Sequence, residues 1–344
     1  MPMNGGCKER MGTRVHRWTT WGVGTLLASL ASVAWAAGDH LDALRAQFEL
    51  PDEQVDYAAA KLAVDQLIHP STDAAAVRRE LDAWERAVRG NAPASPTARQ
   101  VLDALLETLY APGPWNQGEP FTYDLSDPLG RDPGNKRLAT YLATRQGNCV
   151  SMPILVVILG QRLGLPVALA TAPSHVMVKF ADDAQQAWLN VEATAGGFKY
   201  DSSYERETGI SEAALDNGLY LRPLSPREGV GVIASTLMEH YAARNDGDAL
   251  MAVADLALAA NPKDAVAMVW KANAYYLQTQ QRIRSRYPGA ADVPPALHDE
   301  YRRLTQENLA WFARAESLGW AQKTPEQEAG YLQSIQRERA RRGQ

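Results

Sequence analysis

The sequence is poor in cysteine: Cys7 and Cys149 are the two in 344 residues. Cys7 lies in an N-terminal segment that we expect to be removed, which leaves Cys149 without a partner for an internal disulfide. A free thiol in an oxidising compartment invites oxidation and cross-linking. Cys149 is therefore either a small buried apolar residue, as free cysteines often are, or a residue kept for its chemistry.

Other signatures are also missing from the chain. It has no C-x-x-C or H-E-x-x-H spacing, so neither a metal site nor a cofactor is expected. Cys149, His175 and Glu192 could supply at most one small metal site, which is the weakest of the interpretations. The formal net charge is -5, which gives no reason to expect nucleic acid binding. Hydrophobic residues make up 46% of the chain, enough for more than one core.

The N-terminus lacks an apolar run long enough for a typical spanning helix, which needs about 20 residues. Residues 18–33 are mostly apolar or small and precede Ala34-Trp-Ala36, which fits an A-x-A cleavage site. No twin-arginine pair is present. We expect residues 1–36 to be a cleaved signal peptide and the protein to be periplasmic or secreted. The alternative is an uncleaved segment that anchors the protein to a membrane. The basic residues before the apolar part are Lys8, Arg10, Arg14 and Arg17.

Hydrophobic periodicity divides the remaining chain into three parts. Residues 37–96 predict a helical lead-in, residues 97–228 a central core, and residues 229–344 a helical tail. In the tail, helices at 249–260 and 264–278 resemble a tetratricopeptide pair. A plain helical bundle is the alternative. The positions near that consensus are Ala257, Pro262, Ala272 and Tyr275.

The core contains a nearly continuous apolar run, Met152–Leu163, that predicts a helix buried on all sides. Pro153 is tolerated only in the first turn of a helix, so the helix should begin between Asn148 and Ser151. Cys149 then lies at the positive end of the helix. The long polar loop 111–136 leads into this motif and is expected to form one wall of a cleft.

Three short segments after this helix, 167–171, 174–180 and 187–191, predict strands, the last two joined as a hairpin. Matching the apolar faces pairs Val176 with Val191, and Val178 with Leu189. Met177 and Asn190, and Phe180 and Ala187, then pair as well. The same register places His175 directly opposite Glu192.

Cys149, His175 and Glu192 form a candidate nucleophile, base and orienting acid. A thiol attacks carbonyl carbon as the thiolate, which a helix N-terminus and a nearby imidazolium both favour. The Cys149 amide is the first candidate for binding the oxyanion. Glu192 would fix the histidine tautomer, with Asn190 as the alternative. Further wall or oxyanion candidates are Gln146, Asn148, Ser174 and Trp188.

The order of cysteine, histidine and acid on a helix start and two strands resembles the transglutaminase-like superfamily, which shares its core with papain-type peptidases. The resemblance rests on Gly147-Asn-Cys-Val-Ser151, Leu163-Gly-Leu-Pro166, Ser174-His175 and Val191-Glu-Ala-Thr194. From about Leu41 onward the chain is similar to a bacterial branch of SirB type, with a helical lead-in and a tetratricopeptide-like tail. The implied fold is α+β, with a buried helix packed on a small antiparallel sheet.

The resemblance implies Cys149 as nucleophile, His175 as base and Glu192 as acid, although the family usually has Asp at this last position. The first hypothesis is an exported cysteine-dependent acyl-transfer enzyme. It would hydrolyse or transfer amide bonds of a peptide or protein, and the tail would hold a protein partner or the substrate. Many SirB-type relatives have proline in place of the cysteine. The second hypothesis is therefore an inactive scaffold that binds proteins through its tail.

Overall fold

The computed structural model describes residues 41–342. The predicted signal peptide and Cys7 lie outside the described residues. The architecture is mixed, with 63% helix and 9% strand, which confirms the predicted α+β class. Within residues 41–342, no helix is both long and apolar enough to span a bilayer.

Helices precede, interrupt and follow a small sheet. The helices are α1 (Asp42–Glu49), α2 (Tyr57–Ile68), α3 (Ala74–Asn91), α4 (Ala98–Tyr110), α5 (Leu138–Thr144), α6 (Ser151–Arg162), α7 (Asp201–Thr208), α8 (Glu212–Asp216), α9 (Pro226–Ala243), α10 (Gly247–Ala260), α11 (Ala265–Thr279), α12 (His298–Ser317) and α13 (Pro325–Arg342). The strands are β1 (Thr122–Tyr123), β2 (Gln146–Gly147), β3 (Val167–Ala172), β4 (His175–Asp182), β5 (Ala187–Glu192) and β6 (Gly197–Lys199).

Strands β3 to β6 form an antiparallel sheet in chain order, as the three predicted strands suggested. The predicted register of β4 and β5 is wrong by two residues. Val178 pairs with Val191, and Phe180 pairs with Leu189. A shift of two keeps every side chain on its predicted face, because faces alternate with each residue. His175 and Glu192 therefore share a face without being directly opposed.

Helix α6 is the centre of the main core, as its composition predicts. Every residue from Ser151 to Gly160 is buried. Val178 and Val191 of the sheet belong to the same cluster, together with Leu105 of α4. At roughly 25 cal/mol per Å² of buried apolar surface, such a helix is fixed firmly in place. Its N-terminus is thus a rigid platform for the residues that precede it.

The other face of the sheet has a second, smaller core. Met177 of β4 contacts a cluster that includes Tyr204 of α7, Ala214 of α8 and Ala315 of α12. The sheet is therefore enclosed between the main core and helices that come later in the chain. This arrangement brings α7 next to the end of β5.

The predicted lead-in and tail both contribute to the main core. Leu44 of α1, Tyr57 of α2, Val230 of α9 and Leu250 of α10 are buried in the same cluster as α6. The boundaries drawn at 96 and 228 stay predictions. The helix pair expected at 249–260 and 264–278 is confirmed as α10 and α11. Its tetratricopeptide assignment also stays a prediction.

The long polar loop before α5 is held beside the cysteine motif. Its short strand β1 pairs in parallel with β2, so that Thr122 lies next to Gln146 and Tyr123 next to Gly147. The amide of Asp124 also donates to the Gly147 carbonyl at 2.7 Å. The segment Tyr123–Arg131, called the wall below, therefore runs alongside the turn that carries Cys149.

Candidate active site

A tight turn before α6 presents Cys149. Asn148 Oδ1 accepts the amides of Val150 and Ser151, each at 3.0 Å, while Ser151 Oγ accepts the amide of Asn148 at 3.0 Å. This reciprocal pair resembles a capping box and satisfies amides that a helix start leaves unpaired. Asn148 is 1% exposed, so it is an anchor of the turn and not a residue of the cleft surface.

Cys149 lies at the outer corner of this turn and is partly exposed. Its thiol faces the Ser174 carbonyl at 3.9 Å and lies close enough to His175 to raise the pKa of the imidazole. Within the described part of the chain, the Cys149 amide donates to no acceptor. That amide is therefore free to donate to a bound group, and its role toward an oxyanion stays a prediction.

His175 follows the two-residue turn between β3 and β4. Ser174 in this turn has a left-handed φ of 56°, and Ala172 pairs with His175. The imidazole Nε2 lies 2.9 Å from Glu192 Oε2, which leaves Nδ1 for the thiol. Burial lowers the pKa of His175, but the hydrogen bonds and charges of Cys149 and Glu192 outweigh it and raise the pKa to about 9. The site therefore favours an imidazolium.

Glu192 is held on both oxygens. Oε1 accepts the amide of Thr194 at 3.1 Å and its hydroxyl at 2.6 Å, and Oε2 accepts the hydroxyl of Tyr204 at 2.8 Å. Burial raises the pKa of Glu192, yet the contact with His175 and these donors bring it down to about 2. The carboxylate stays ionised and fixes the orientation of the imidazole ring.

The other candidates lie elsewhere. The Asn190 amide donates to Lys199 O at 2.9 Å and to Asp201 Oδ1 at 2.6 Å, so the structure favours Glu192 over Asn190 as orienter. Gln146 lines a surface depression of about 320 Å³ that Cys149 does not line. Trp188 is four residues before Glu192 on β5, about 13 Å along the strand at about 3.3 Å per residue.

Sequence reasoning missed several residues that contact the site. Thr194 ends the motif Val191-Glu-Ala-Thr194, but the motif alone does not indicate that its hydroxyl holds Glu192. Tyr204 comes from α7, and no local pattern marks it as a partner of Glu192. Tyr123 and Tyr331 lie close enough to Cys149 for a thiolate charge to raise the pKa of each hydroxyl, in addition to the larger effect of burial. Tyr123 could have been suspected from the expectation that its loop walls the cleft.

Among residues 41–342, no cluster of three or more His, Cys, Asp or Glu side chains is arranged to hold a metal ion. The His175 imidazole is held on the Glu192 carboxylate at 2.9 Å, and the Cys149 thiol lies near the same ring. Such an arrangement can generate a thiolate and return a proton to a leaving group.

Comparisons with known proteins match a family over part of the chain. No curated protein matches the sequence. A solved structure titled "Crystal structure of menin reveals the binding site for Mixed Lineage Leukemia (MLL) protein" is similar over 86% of this chain and 87% of that one. The identity is 12% and the TM-score 0.37, too low to support a conclusion. Residues 75–230 match the family model Transglut_core2, described as transglutaminase-like superfamily. The chain therefore contains a transglutaminase-like superfamily domain at residues 75–230.

Proposed function

We propose that this domain is a cysteine-dependent acyl-transfer centre that cleaves or transfers amide bonds. Cys149 is the nucleophile, His175 the base and then the acid, and Glu192 the orienting carboxylate. The observation that carries the proposal is an imidazole whose Nε2 is held at 2.9 Å by a buried carboxylate, with a partly exposed thiol close enough to raise the pKa of that imidazole.

The chemistry follows from these contacts. The Cys149 sulfur bonds to the carbonyl carbon. The oxyanion that forms accepts a hydrogen bond from the Cys149 amide. The C–N bond then breaks as the His175 imidazolium gives its proton to the leaving amine, and an acyl thioester remains. Water or an acceptor amine attacks this thioester and gives its proton to His175. The C–S bond breaks, and the thiolate leaves paired with the imidazolium.

The substrate class and cell location come from the sequence. We propose a peptide or protein substrate, export through the N-terminal segment, and a helical tail of tetratricopeptide type that holds a protein partner. The resemblance to SirB-type proteins supports the last of these. The apolar segment before Ala34-Trp-Ala36 supports export.

Acylation by p-nitrophenyl acetate at pH 7 tests the chemistry. We expect a burst of p-nitrophenol and an acetyl group on the Cys149 peptide in mass spectrometry, followed by release to water or to added glycinamide. His175→Ala should slow acylation about 100-fold, because it removes the general base. The ratio of free acetate to acetylated amine distinguishes hydrolysis from transfer.

The matched control is His69→Ala, which removes an exposed histidine bonded to Ser71. This variant should acylate like the wild type. Acylation of the wild type no faster than that of His175→Ala would contradict the proposal. The inactive scaffold would then be the better account of the domain.

A further inference from the structure

The C-terminal helix α13 lies against the wall next to Cys149. The Tyr331 hydroxyl is 2.7 Å from the Tyr123 hydroxyl and donates to the Pro128 carbonyl at 3.0 Å. One turn earlier on α13, Glu328 accepts from Arg131 at 2.8 Å. Two turns after Tyr331, the guanidinium of Arg339 donates to the Leu125 carbonyl. The helix thus follows the wall along its length.

Tyr331 brings α13 to the edge of the cysteine site. Its hydroxyl contacts that of Tyr123, whose backbone pairs with Gly147, two residues before Cys149. Burial raises the pKa of both hydroxyls, and a thiolate charge at Cys149 also acts to raise them. A substrate that reaches Cys149 along the wall would therefore meet α13. The acceptors that α13 uses, the carbonyls of Leu125 and Pro128, are also suited to the amide donors of an extended peptide.

Helix α13 is held only at its surface. None of its residues whose burial is described is buried, whereas α12 buries Leu304 and Ala315. The ion pair of Arg131 and Glu328 has side chains that are 74% and 41% exposed. Such pairs contribute little and are screened by salt. The attachment is thus far weaker than that of the helices in the core.

Helix α13 also begins independently of α12. Thr324 and Gln327 cap its start reciprocally, with the Thr324 amide on Gln327 Oε1 at 2.8 Å and the Gln327 amide on Thr324 Oγ1 at 3.3 Å. Residues 321–324 before it are exposed, and Gly319 has a φ of 98°. The helix can therefore leave the wall without unfolding α12.

We propose that α13 is an intramolecular cover that occupies the peptide-binding wall beside Cys149 and must leave it before a peptide substrate binds. The proposal rests on the acyl-transfer function proposed above. It describes how that function is regulated: α13 and the substrate compete for the wall.

The size dependence of cysteine labelling tests the cover. At about pH 9 an ordinary thiol is largely ionised, so labelling reports access independently of His175. We compare iodoacetamide with a 5 kDa polyethylene glycol maleimide, and read both on the Cys149 peptide so that Cys7 does not contribute. Tyr331→Ala combined with Arg339→Ala should raise the rate with the large reagent about tenfold, because that rate scales with the open fraction. The iodoacetamide rate should change far less.

In the control variant, alanine replaces Gln333 and Gln336, two exposed residues of the same helix. Its Cys149 should be labelled at the wild-type rate. An unchanged rate with the large reagent in the Tyr331 and Arg339 variant would overturn the cover. Hydrogen exchange of the wild-type chain gives a second test that needs no variant. Amides of α13 should exchange about tenfold or more faster than those of α12, and equal protection would also overturn it.

This outcome is separable from that of the proposed function. A protein whose His175→Ala variant acylates at the wild-type rate, but whose large-reagent labelling rises when α13 is loosened, has a cover without an activated thiol. The reverse pattern indicates an activated thiol without a cover.

Discussion

Among residues 41–342, the ion pairs Lys61–Asp65 and His175–Glu192 each hold a buried carboxylate, and they serve different ends. Lys61 and Asp65 are fully buried on α2, with Nζ and Oδ1 2.5 Å apart, and Asp65 Oδ2 accepts the amide of Leu138 at 2.8 Å. His175 and Glu192 are 18% and 8% exposed and lie 2.9 Å apart. Both pairs satisfy a buried carboxylate with a nearby cation and further donors.

The difference lies in the third partner. The second carboxylate oxygen of Asp65 accepts a hydrogen bond from a backbone amide at the start of α5. The first pair therefore joins α2 to α5. His175 keeps one ring nitrogen for the thiol of a partly exposed cysteine. Burial and pairing alone therefore do not identify a chemical site. A reactive group that solvent can reach beside the pair does.

Removing Asp65 should have the largest effect on stability. Asp65→Ala leaves Lys61 buried without its partner, so we expect the free energy of unfolding to fall by about 3–5 kcal/mol, measured with urea. Acylation of Cys149 in the folded fraction should not change. Asp103→Ala, at an exposed pair with Arg99, is the control and should cost about 0–1 kcal/mol. A slower acylation in Asp65→Ala would weaken the contrast between the two pairs.

The second pair should make stability depend on pH. Its contribution is complete between about pH 4.5 and 6.5 and is lost as pH rises through the raised pKa of His175, about 9. It is also lost below pH 4.5, toward the lowered pKa of Glu192, about 2. Between pH 6 and 9 the wild type should lose about 2–3 kcal/mol relative to His175→Gln, at 1.36 kcal/mol per pKa unit. If the free energy of unfolding, measured with urea, varied with pH in the same way in both proteins, the paired state would be contradicted.

Neutralising the orienting carboxylate should have a smaller effect on chemistry. Glu192→Gln keeps the shape but removes the charge that favours the imidazolium. We expect acylation at pH 7 to slow about tenfold, which corresponds to about 1.4 kcal/mol. Asp183→Asn, in the exposed turn between β4 and β5, should be neutral. Equal acylation rates for Glu192→Gln and Asp183→Asn would mean that the Glu192 charge does not assist the reaction.

Loss of the Tyr204 hydroxyl should have the smallest effect. Tyr204→Phe removes one of the donors to Glu192 but keeps the buried ring. We expect acylation to slow about threefold, because Thr194 still holds the other oxygen. Tyr200→Phe, at a residue that is 82% exposed, should not change the rate. An effect of Tyr204→Phe as large as that of Glu192→Gln would mean that Tyr204 has a further role.

The helix, the strands and the proximity of the candidate triad could be predicted because each has a local pattern. A proline in the first turn and an all-apolar run locate the start of α6 close to Cys149. The alternation of β4 and β5 determines which side chains share a face. It cannot distinguish registers that differ by two residues, because a two-residue shift keeps every side chain on its face. That is why His175 was expected directly opposite Glu192 and is instead displaced along the strand.

The parts that were missed come from distant segments. Tyr204 reaches Glu192 through the packing of α7, and Tyr331 reaches the wall from the last helix, 208 residues after Tyr123. Neither tyrosine lies in a pattern that distinguishes it from a surface residue. The anchoring role of Asn148 was also hidden, because one amide can either cap a turn or face a substrate. Tertiary packing decides each of these.

The pH dependence of Cys149 alkylation by iodoacetamide tests the central claim most directly. An ordinary thiol near pKa 8.5 is about 0.3% ionised at pH 6 and reacts accordingly slowly. We predict that the wild type keeps most of its rate below pH 6 and that His175→Ala loses it, with a single rise near pH 8.5. A wild-type profile that rises only near pH 8.5 would contradict an imidazole-activated thiol.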